Sequence, residues 1–433
     1  MRIDRLHLVN FKGFADRELT FHPAFNLVVG ENGSGKTSVL DALSVAAGSW
    51  LLGLREVGAR HIAAEDVRLV AHATETAVNW EQQFPCVVDA AGQVLGQSLS
   101  WKRSLNGAQN RTTTVDARDI KDLASSSADA VMLGEEIVLP LLSYYGTGRL
   151  WREPRADAKV ESGEQIGQEG LSRFDGYRNS VDPRLSVAAL VQWFARQSWM
   201  AFQRNGAFTP AYQAVRQALT RNVQSATDVT FDAKLGQMVV EFAASPRQPF
   251  TNLSDGQRCM LALVGDIARK AATLNPHLGP NILSQTPGIV LIDELDLHLH
   301  PKWQRTVIED LRTTFPAVQF ICTTHSPFLI QSLRSGEELV MLGGQPTAQL
   351  GDLSIDTIAR GIQGVHNPEV SARYESMRAD AKDFLQTLDE AMKAPSDKLD
   401  EYRTRLADRI SPYADNPAFQ AFLELKRAAK LGE

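Results

Sequence analysis

The sequence predicts an α/β fold in which helices flank a mixed sheet. Three observations carry this reading. Phe25-Asn26-Leu27-Val28-Val29, Gly288-Ile289-Val290-Leu291-Ile292 and Ala317-Val318-Gln319-Phe320-Ile321-Cys322 are short runs dominated by apolar residues, as strands buried on both faces should be. The first run enters a glycine-rich loop, Gly30-Glu31-Asn32-Gly33-Ser34-Gly35-Lys36-Thr37, behind which Val39, Leu40, Leu43 and Ala47 recur at helical spacing. Residues 76–115 lose helical period and break at turn signals, which predicts an antiparallel sheet flanking the core that those buried strands build.

Taken in order, residues 2–13 read as a strand with Ile3, Leu6, Leu8 and Phe11 at the apolar positions. Leu19-Thr20-Phe21 reads as a second strand, and His22-Pro23 turns the chain into the strand before the loop. The loop itself fits G-x-x-x-x-G-K-[ST] at every constrained position. Its glycines allow left-handed backbone, so successive N–H groups turn inward as an anion cradle, and the positive end of the following helix adds to it. Gly30, Glu31, Asn32, Gly33, Ser34, Gly35 and Ser38 are the expected nucleotide contacts. Lys36 would reach the β- and γ-phosphates, and Thr37 would set its hydroxyl on Mg²⁺.

In the antiparallel region, Ala77–Trp80, Cys86–Asp89 and Ser98–Trp101 are expected strands, with turns at Ala91-Gly92 and Asn106-Gly107. Ile137 to Tyr145 is a continuous apolar run that Gly146-Thr147-Gly148-Arg149 ends. A loop rich in Gly, Ser and Asp follows to about residue 184, and its composition predicts a mobile segment. Residues 185–224 return to helical period, with Val191, Phe194, Ala195 and Trp199 on one side. Phe231 to Phe242 reads as a hairpin, and from about residue 353 the chain is mostly helical.

The remaining motifs lie between those segments. Asn252-Leu253-Ser254-Asp255-Gly256-Gln257-Arg258 precedes an apolar helix carrying Met260, Leu261, Val264 and Ile267, and Ser254 suits its N-cap. About 40 residues later, the strand at 288–292 ends in Asp293 and Glu294. Asp293 would hold Mg²⁺, because a hard cation prefers carboxylate oxygen. Glu294 is placed to polarise the attacking water. The strand at 317–323 runs into Thr324-His325-Ser326-Pro327. His298 and His300 alternate in a loop with no third ligand in sequence, which argues against a metal centre there. Pro301 then starts a helix marked by Trp303, Val307, Leu311 and Phe315.

Together, residues 1–14, the phosphate loop, Leu253–Gln257, Ile292–Glu294 and Thr324–Pro327 resemble the ABC-type ATPases of the SMC, Rad50, RecF and OLD group. The resemblance implies a P-loop NTPase of the ABC/SMC-head type with ATP and Mg²⁺ as cofactors, a helical insertion and a helical C-terminal region. It implies that Ser254, Gly256 and Gln257 are the signature that meets ATP held by a second subunit, that His325 is the switch histidine, and that residues 296–301 are a subunit contact. Lys36, Glu294 and His325 are then the catalytic set, and Thr37 and Asp293 the metal set. Arg149, in a loop standing where the Q-loop would, joins the nucleotide contacts; Asp66-Val67-Arg68 is a weaker candidate for that loop. The expected boundaries are 1–150 and 228–345 for the two lobes of the head, 151–227 for an inserted loop and helical subdomain, and 346–433 for a helical partner-binding region. Tyr144-Tyr145-Gly146-Thr147-Gly148-Arg149-Leu150-Trp151 looks like a compact bacterial subfamily that includes PtuA-like ATPases of Septu and retron-linked anti-phage systems. Its members commonly pair with a separate HNH nuclease. A RecF-like DNA-repair ATPase is the alternative client class, and an ABC transporter subunit fits less well. The long heptads of SMC and Rad50 and the acidic strand ends of an OLD Toprim domain have no counterpart here.

Composition narrows the setting. A hydrophobic content of 43% with 22% charged residues describes an ordinary globular chain, and no apolar run approaches a membrane span. Met1–Arg5 does not open a signal peptide, and Cys86, Cys259 and Cys322 show no metal spacing, so a cytoplasmic protein with reduced thiols is expected. A net charge of −6 gives no global pull toward nucleic acid. Arg149, Arg152, Arg155, Arg173, Arg178 and Arg184 interleave with Trp151, Phe174 and Tyr177, which suits DNA contact, but seven acids between Glu153 and Asp182 offset them and favour a solvated loop.

Overall fold

The computed structural model describes the chain except Glu56, residues 74–77, 150–171, Ser245, 344–352, His366, 393–403, 409–415 and 432–433. Its contacts divide it into two units, Met1–Ile358 and Ala359–Glu433.

The first unit opens with a hairpin of β1 (Arg2–Phe11) and β2 (Phe14–Thr20), in which Leu6 faces Leu19 and Phe11 faces Phe14. β3 (Phe25–Val29) is buried along its whole length and leads through the glycine loop into α1 (Lys36–Ala47). β4 (Leu69–Ala73) and β5 (Val78–Gln82) pair only with each other, whereas β6 (Cys86–Val94) and β7 (Gln97–Leu105) complete a sheet of order β2-β1-β6-β7. The expected antiparallel region is therefore two sheets. Ala91-Gly92 is not a turn: both residues lie inside β6, and the chain reverses at Leu95-Gly96, each at positive φ. Gly92 is required for a different reason. A Cβ there would stand 2.1 Å from the Arg2 carbonyl oxygen, where β1 shifts register against β6.

After α2 (Arg118–Met132), only Leu141–Tyr145 of the apolar run pairs as a strand, β8. α3 (Val187–Gln203) and α4 (Pro210–Asn222) fill the expected helical stretch. The inward face of α3 is Leu190, Phe194 and Ala201; Trp199 is 61% exposed and stacks on exposed Phe202. β9 (Ala226–Asp232) and β10 (Gln237–Phe242) form the expected hairpin, extended by β11 (Gln248–Pro249). α5 (Asp255–Leu274) and α6 (Ile282–Gln285) precede β12 (Gly288–Ile292). The helix at Pro301 is two helices, α7 (Pro301–Gln304) and α8 (Val307–Thr314), with Arg305 and Thr306 between them. β13 (Val318–Thr323), α9 (Pro327–Gln331) and β14 (Leu339–Met341) complete the core.

The central sheet has the order β14-β3-β13-β12-β8, and every pairing in it is parallel. The strands β3, β12, β13 and β8 thus all deliver their C-terminal loops to one edge. In open parallel sheets that edge is where ligands bind. α1 touches β12 of this sheet and also β1 and β6 of the antiparallel one, which places it between them. α10 (Ile355–Gly361) spans the boundary between the units. In the second unit Phe384 and Leu388 of α11 (Ala372–Ala391), Leu423 of α12 (Pro417–Leu431) and Leu406 from the chain between them form a small core.

Candidate functional site

The glycine loop begins where β3 ends, and the strand order puts the Asp293 end of β12 one strand away, across β13. Gly33 and Gly35 have φ of 81° and 96°, backbone that a side chain would strain. Gly35 is also pressed from outside: a Cβ there would come 2.6 Å from the Phe14 ring. Lys36, the first residue of α1, rests its ammonium on the carbonyls of Gly30 (2.8 Å) and Glu31 (2.9 Å). Burial lowers its pKa, while Asp293 and Glu294 pull the other way. Glu31, Asn32, Gly33 and Thr37 are exposed, Gly30, Ser34, Gly35 and Ser38 half-buried.

Thr37 and Asp293 meet. The Thr37 hydroxyl donates to Asp293 Oδ2 at 3.0 Å, and Thr323 at the end of β13 donates to Oδ1 at 2.6 Å. A hydroxyl and a carboxylate converging at a phosphate loop are the hard oxygen donors Mg²⁺ takes. Among the described residues no group of three or more His, Cys, Asp or Glu side chains forms a metal cage. A cation held by Thr37 and Asp293 would draw its other ligands from phosphate and water, the usual habit of Mg²⁺.

Glu294 follows with φ of 48°, a left-handed conformation that costs a non-glycine residue about 1–3 kcal/mol unless its surroundings hold it. They do. Its N–H donates to Thr323 Oγ1 at 2.8 Å, and its carbonyl accepts from Leu297 N–H at 3.0 Å and from Arg149 Nη2 at 3.0 Å. Arg149, expected on the nucleotide, is 1% exposed, and its donors go to the protein instead. Nη1 bonds the carbonyls of Asp293 (2.7 Å) and Gly146 (3.1 Å), and Nε the Cys259 sulfur (3.3 Å).

Ser254 caps α5 in a reciprocal box with Gln257: the Gln257 side chain accepts from Ser254 N–H at 3.0 Å, and Ser254 Oγ accepts from Gln257 N–H at 3.4 Å. Ser254 is exposed. A cavity of about 1440 Å³ is lined by Thr37 and Asp293, and none of its described lining residues comes from the signature turn. Gly256 is buried where the His298 carbonyl packs, 2.7 Å from where a Cβ would be, so signature and 296–300 loop fit against each other. His300 caps α7, its Nδ1 accepting from Lys302 N–H at 3.2 Å. His325 stands exposed just beyond β13, between Thr324, which donates to Asp296, and Ser326, which bonds Gln304 at 2.7 Å.

Two features escape sequence reading. Thr323 joins β13 to both acids, and its only signal was its place just before Thr324-His325. Asp41, one turn beyond Thr37, gathers Lys12, Arg60 (2.7 Å) and the Tyr144 hydroxyl (3.1 Å). Burial alone would raise the Asp41 carboxyl, but Arg60 and Lys12 outweigh it and hold it low. Asp66 belongs to the same cluster, 3.5 Å from Lys12 and 3.6 Å from Arg60. Of the arginine-aromatic group, Tyr177 is buried against Trp50 and the Pro140 carbonyl, Arg173 bonds the Leu274 carbonyl (2.7 Å), and Arg184 pairs with Asp182. Trp151, Arg152 and Arg155 lie outside the described residues.

The loop, the two acids and the capped turn that starts α5, set around one parallel sheet, have the layout of a P-loop NTPase fold. A family model described as "AAA domain, putative AbiEii toxin, Type IV TA system" matches residues 147–331, and a second, described as "AAA domain", matches residues 5–192. The chain is 26% identical to the "Retron Vc95 probable ATPase" of Vibrio cholerae serotype O1 biovar El Tor over 77% of its own length and 72% of that protein. It is 29% identical to the "Septu protein PtuA" of Bacillus mycoides (strain KBAB4), over 37% of its own length and 22% of that protein. A solved structure, the SmcHead bound to the C-winged helix domain of ScpA, overlays with a TM-score of 0.47 at 14% identity, covering 80% of this chain and 98% of that one. The chain is thus similar to the retron and Septu proteins over the lengths given. No described helix is long and apolar enough to cross a membrane.

Proposed function

We propose that this chain is a Mg²⁺-dependent ATPase whose two copies close head to head around two ATP molecules, and that it serves as the ATPase component of an anti-phage system. Lys36 neutralises the β- and γ-phosphates, and Thr37 and Asp293 hold the cation, which supplies charge neutralisation on the phosphates when bound. Glu294 accepts the proton of the attacking water, and His325 contacts the γ-phosphate. Ser254, Gly256 and Gln257 reach the nucleotide of the other copy. Only the closed pair then presents every donor to the γ-phosphate, so ATP binding is also a conformational switch.

The observation that carries the reading is the Thr37–Asp293 bond beside Glu294, which joins loop and acids in one site. Exposure of Ser254 and its absence from the cavity that Thr37 and Asp293 line support the second copy. Likeness to the retron and Septu proteins supports the defence role. A separate HNH-type nuclease is the partner this reading assigns, residues 346–433 are its docking region, and the cytoplasm is its place of work. The described arginines and aromatics after Gly146 are largely engaged within the fold, so direct DNA contact is not part of the proposal. The test is ATP hydrolysis by the purified protein with Mg²⁺ and with chelator, followed by identification of what copurifies from native cells. Hydrolysis only with Mg²⁺ and an accompanying nuclease is the expected result. No hydrolysis by the native complex contradicts the ATPase reading, and a replication or repair complex in place of a nuclease contradicts the defence role.

A further inference from the structure

The structure assigns Arg149 as a positioning residue that holds Glu294 in its left-handed conformation and ties it to the loop leaving β8. The inference rests on the ATPase reading above. Three observations carry it.

Glu294, at φ of 48°, stays there only while its peptide groups are held from outside. Arg149 does this with a rigid fork of donors, Nη1 on the Asp293 carbonyl at 2.7 Å and Nη2 on the Glu294 carbonyl at 3.0 Å, so the two peptides are fixed relative to one plane. The same Nη1 also bonds the Gly146 carbonyl at 3.1 Å, at the point where the chain leaves β8. Gly146 is itself locked, its N–H on the Pro183 carbonyl at 2.7 Å. One guanidinium therefore spans the acid-bearing end of β12 and the loop after β8. A 1% exposed cation is expensive to bury, and here its charge faces carbonyl oxygens at a strand end rather than ligand. Movement of the Gly146–Arg149 loop would pass to the direction of the Glu294 carboxylate with no contact to ATP.

The test uses Arg149→Lys and Arg149→Met. The first keeps a charge but not the fork; the second fills the space without burying an unpaired charge, so one variant remains if the other does not fold. Melting temperature, ATP dissociation constant and single-turnover hydrolysis of bound ATP are measured for the unmodified protein, both variants, Glu294→Gln and each double variant. The expected result is ATP affinity within ~3-fold of the parent and a single-turnover rate slowed ~10-fold to 10²-fold, in the range that displacement of a reacting group produces. In the Glu294→Gln background the Arg149 substitutions should slow hydrolysis no further. Lost ATP affinity with an unchanged rate for bound ATP would put the guanidinium on the nucleotide and overturn the inference. So would an equal slowing in both backgrounds, or no slowing at all. An unmodified protein that hydrolyses no ATP would instead remove the ATPase reading, and this inference with it.

Discussion

The proposed mechanism gives Lys36 and Glu294 separable tasks. The Lys36 ammonium already lies on the loop carbonyls where phosphate oxygens would compete for it. Lys36→Ala removes a charge-assisted contact worth about 2–3 kcal/mol, so ATP binding should weaken ~30–150-fold in titration calorimetry. Glu294→Gln keeps the shape of the side chain and leaves Asp293 and Thr37 untouched, so ATP and Mg²⁺ affinity should survive. In the proposed mechanism it removes the group that takes the water's proton, so single-turnover hydrolysis should fall ~10²–10⁴-fold. The sequence marks these residues as candidates because phosphate-loop chemistry demands particular residue types at fixed spacing. For Arg149 the hydrogen-bond target was not legible. Its neighbours in the chain place it beside the nucleotide, and only the fold shows that its fork turns back onto carbonyls of Asp293 and Glu294, 144 and 145 positions away.

Among the elements, α5 links β8 of the sheet to the helices α3 and α4. Asp266 on this helix accepts from the Tyr145 hydroxyl of β8 at 2.8 Å and pairs with Arg269 (2.6 Å) and Lys270 (3.1 Å). Burial would raise its carboxyl, but Lys270 and Arg269 outweigh burial and hold it well below the usual carboxylate range. A depressed folded-state pKa contributes stability that is full above the unfolded value, near 3.9, and lost as pH falls toward the folded one. Asp266→Asn should cost about 3–5 kcal/mol at pH 7, because it strands two cations, and the gap in melting temperature from the parent should narrow below about pH 4. The same scale shows what the sequence concealed. Ala91-Gly92 reads as a turn because glycine has two uses, left-handed backbone and close approach; here the neighbour that requires it, Arg2, is far away in the chain. Trp199 follows the helical period of α3 yet points outward, since periodicity fixes a helix's stripe only to within a residue or so. Pro301 to Phe315 keeps an apolar spacing across a break at Arg305 and Thr306 that no glycine or proline marks.

At the scale of the whole molecule, three buried strands were legible as apolar runs, while their parallel pairing and order were not, because pairing depends on contacts remote in sequence. That order decides the function proposed. With β13 between β3 and β12, the loop, Asp293, Glu294 and His325 lie at one edge of one sheet, and Ser254 at the start of α5 stays exposed. The account therefore needs a second copy. Ser254→Arg should leave ATP binding to a single chain intact while its bulk and charge block closure, and Lys36→Ala should bind ATP weakly while its own signature remains sound. Each variant alone lacks any complete site. A pair containing one of each has one complete site, formed by the loop of the Ser254→Arg chain and the signature of the Lys36→Ala chain. The deciding measurement is ATP hydrolysis across a titration of the two variants at constant total protein. The account predicts almost none at either end and a maximum near equal proportions. Mixed pairs that form, by cross-linking or native mass spectrometry, yet stay as inactive as either variant alone would contradict a site shared between two copies.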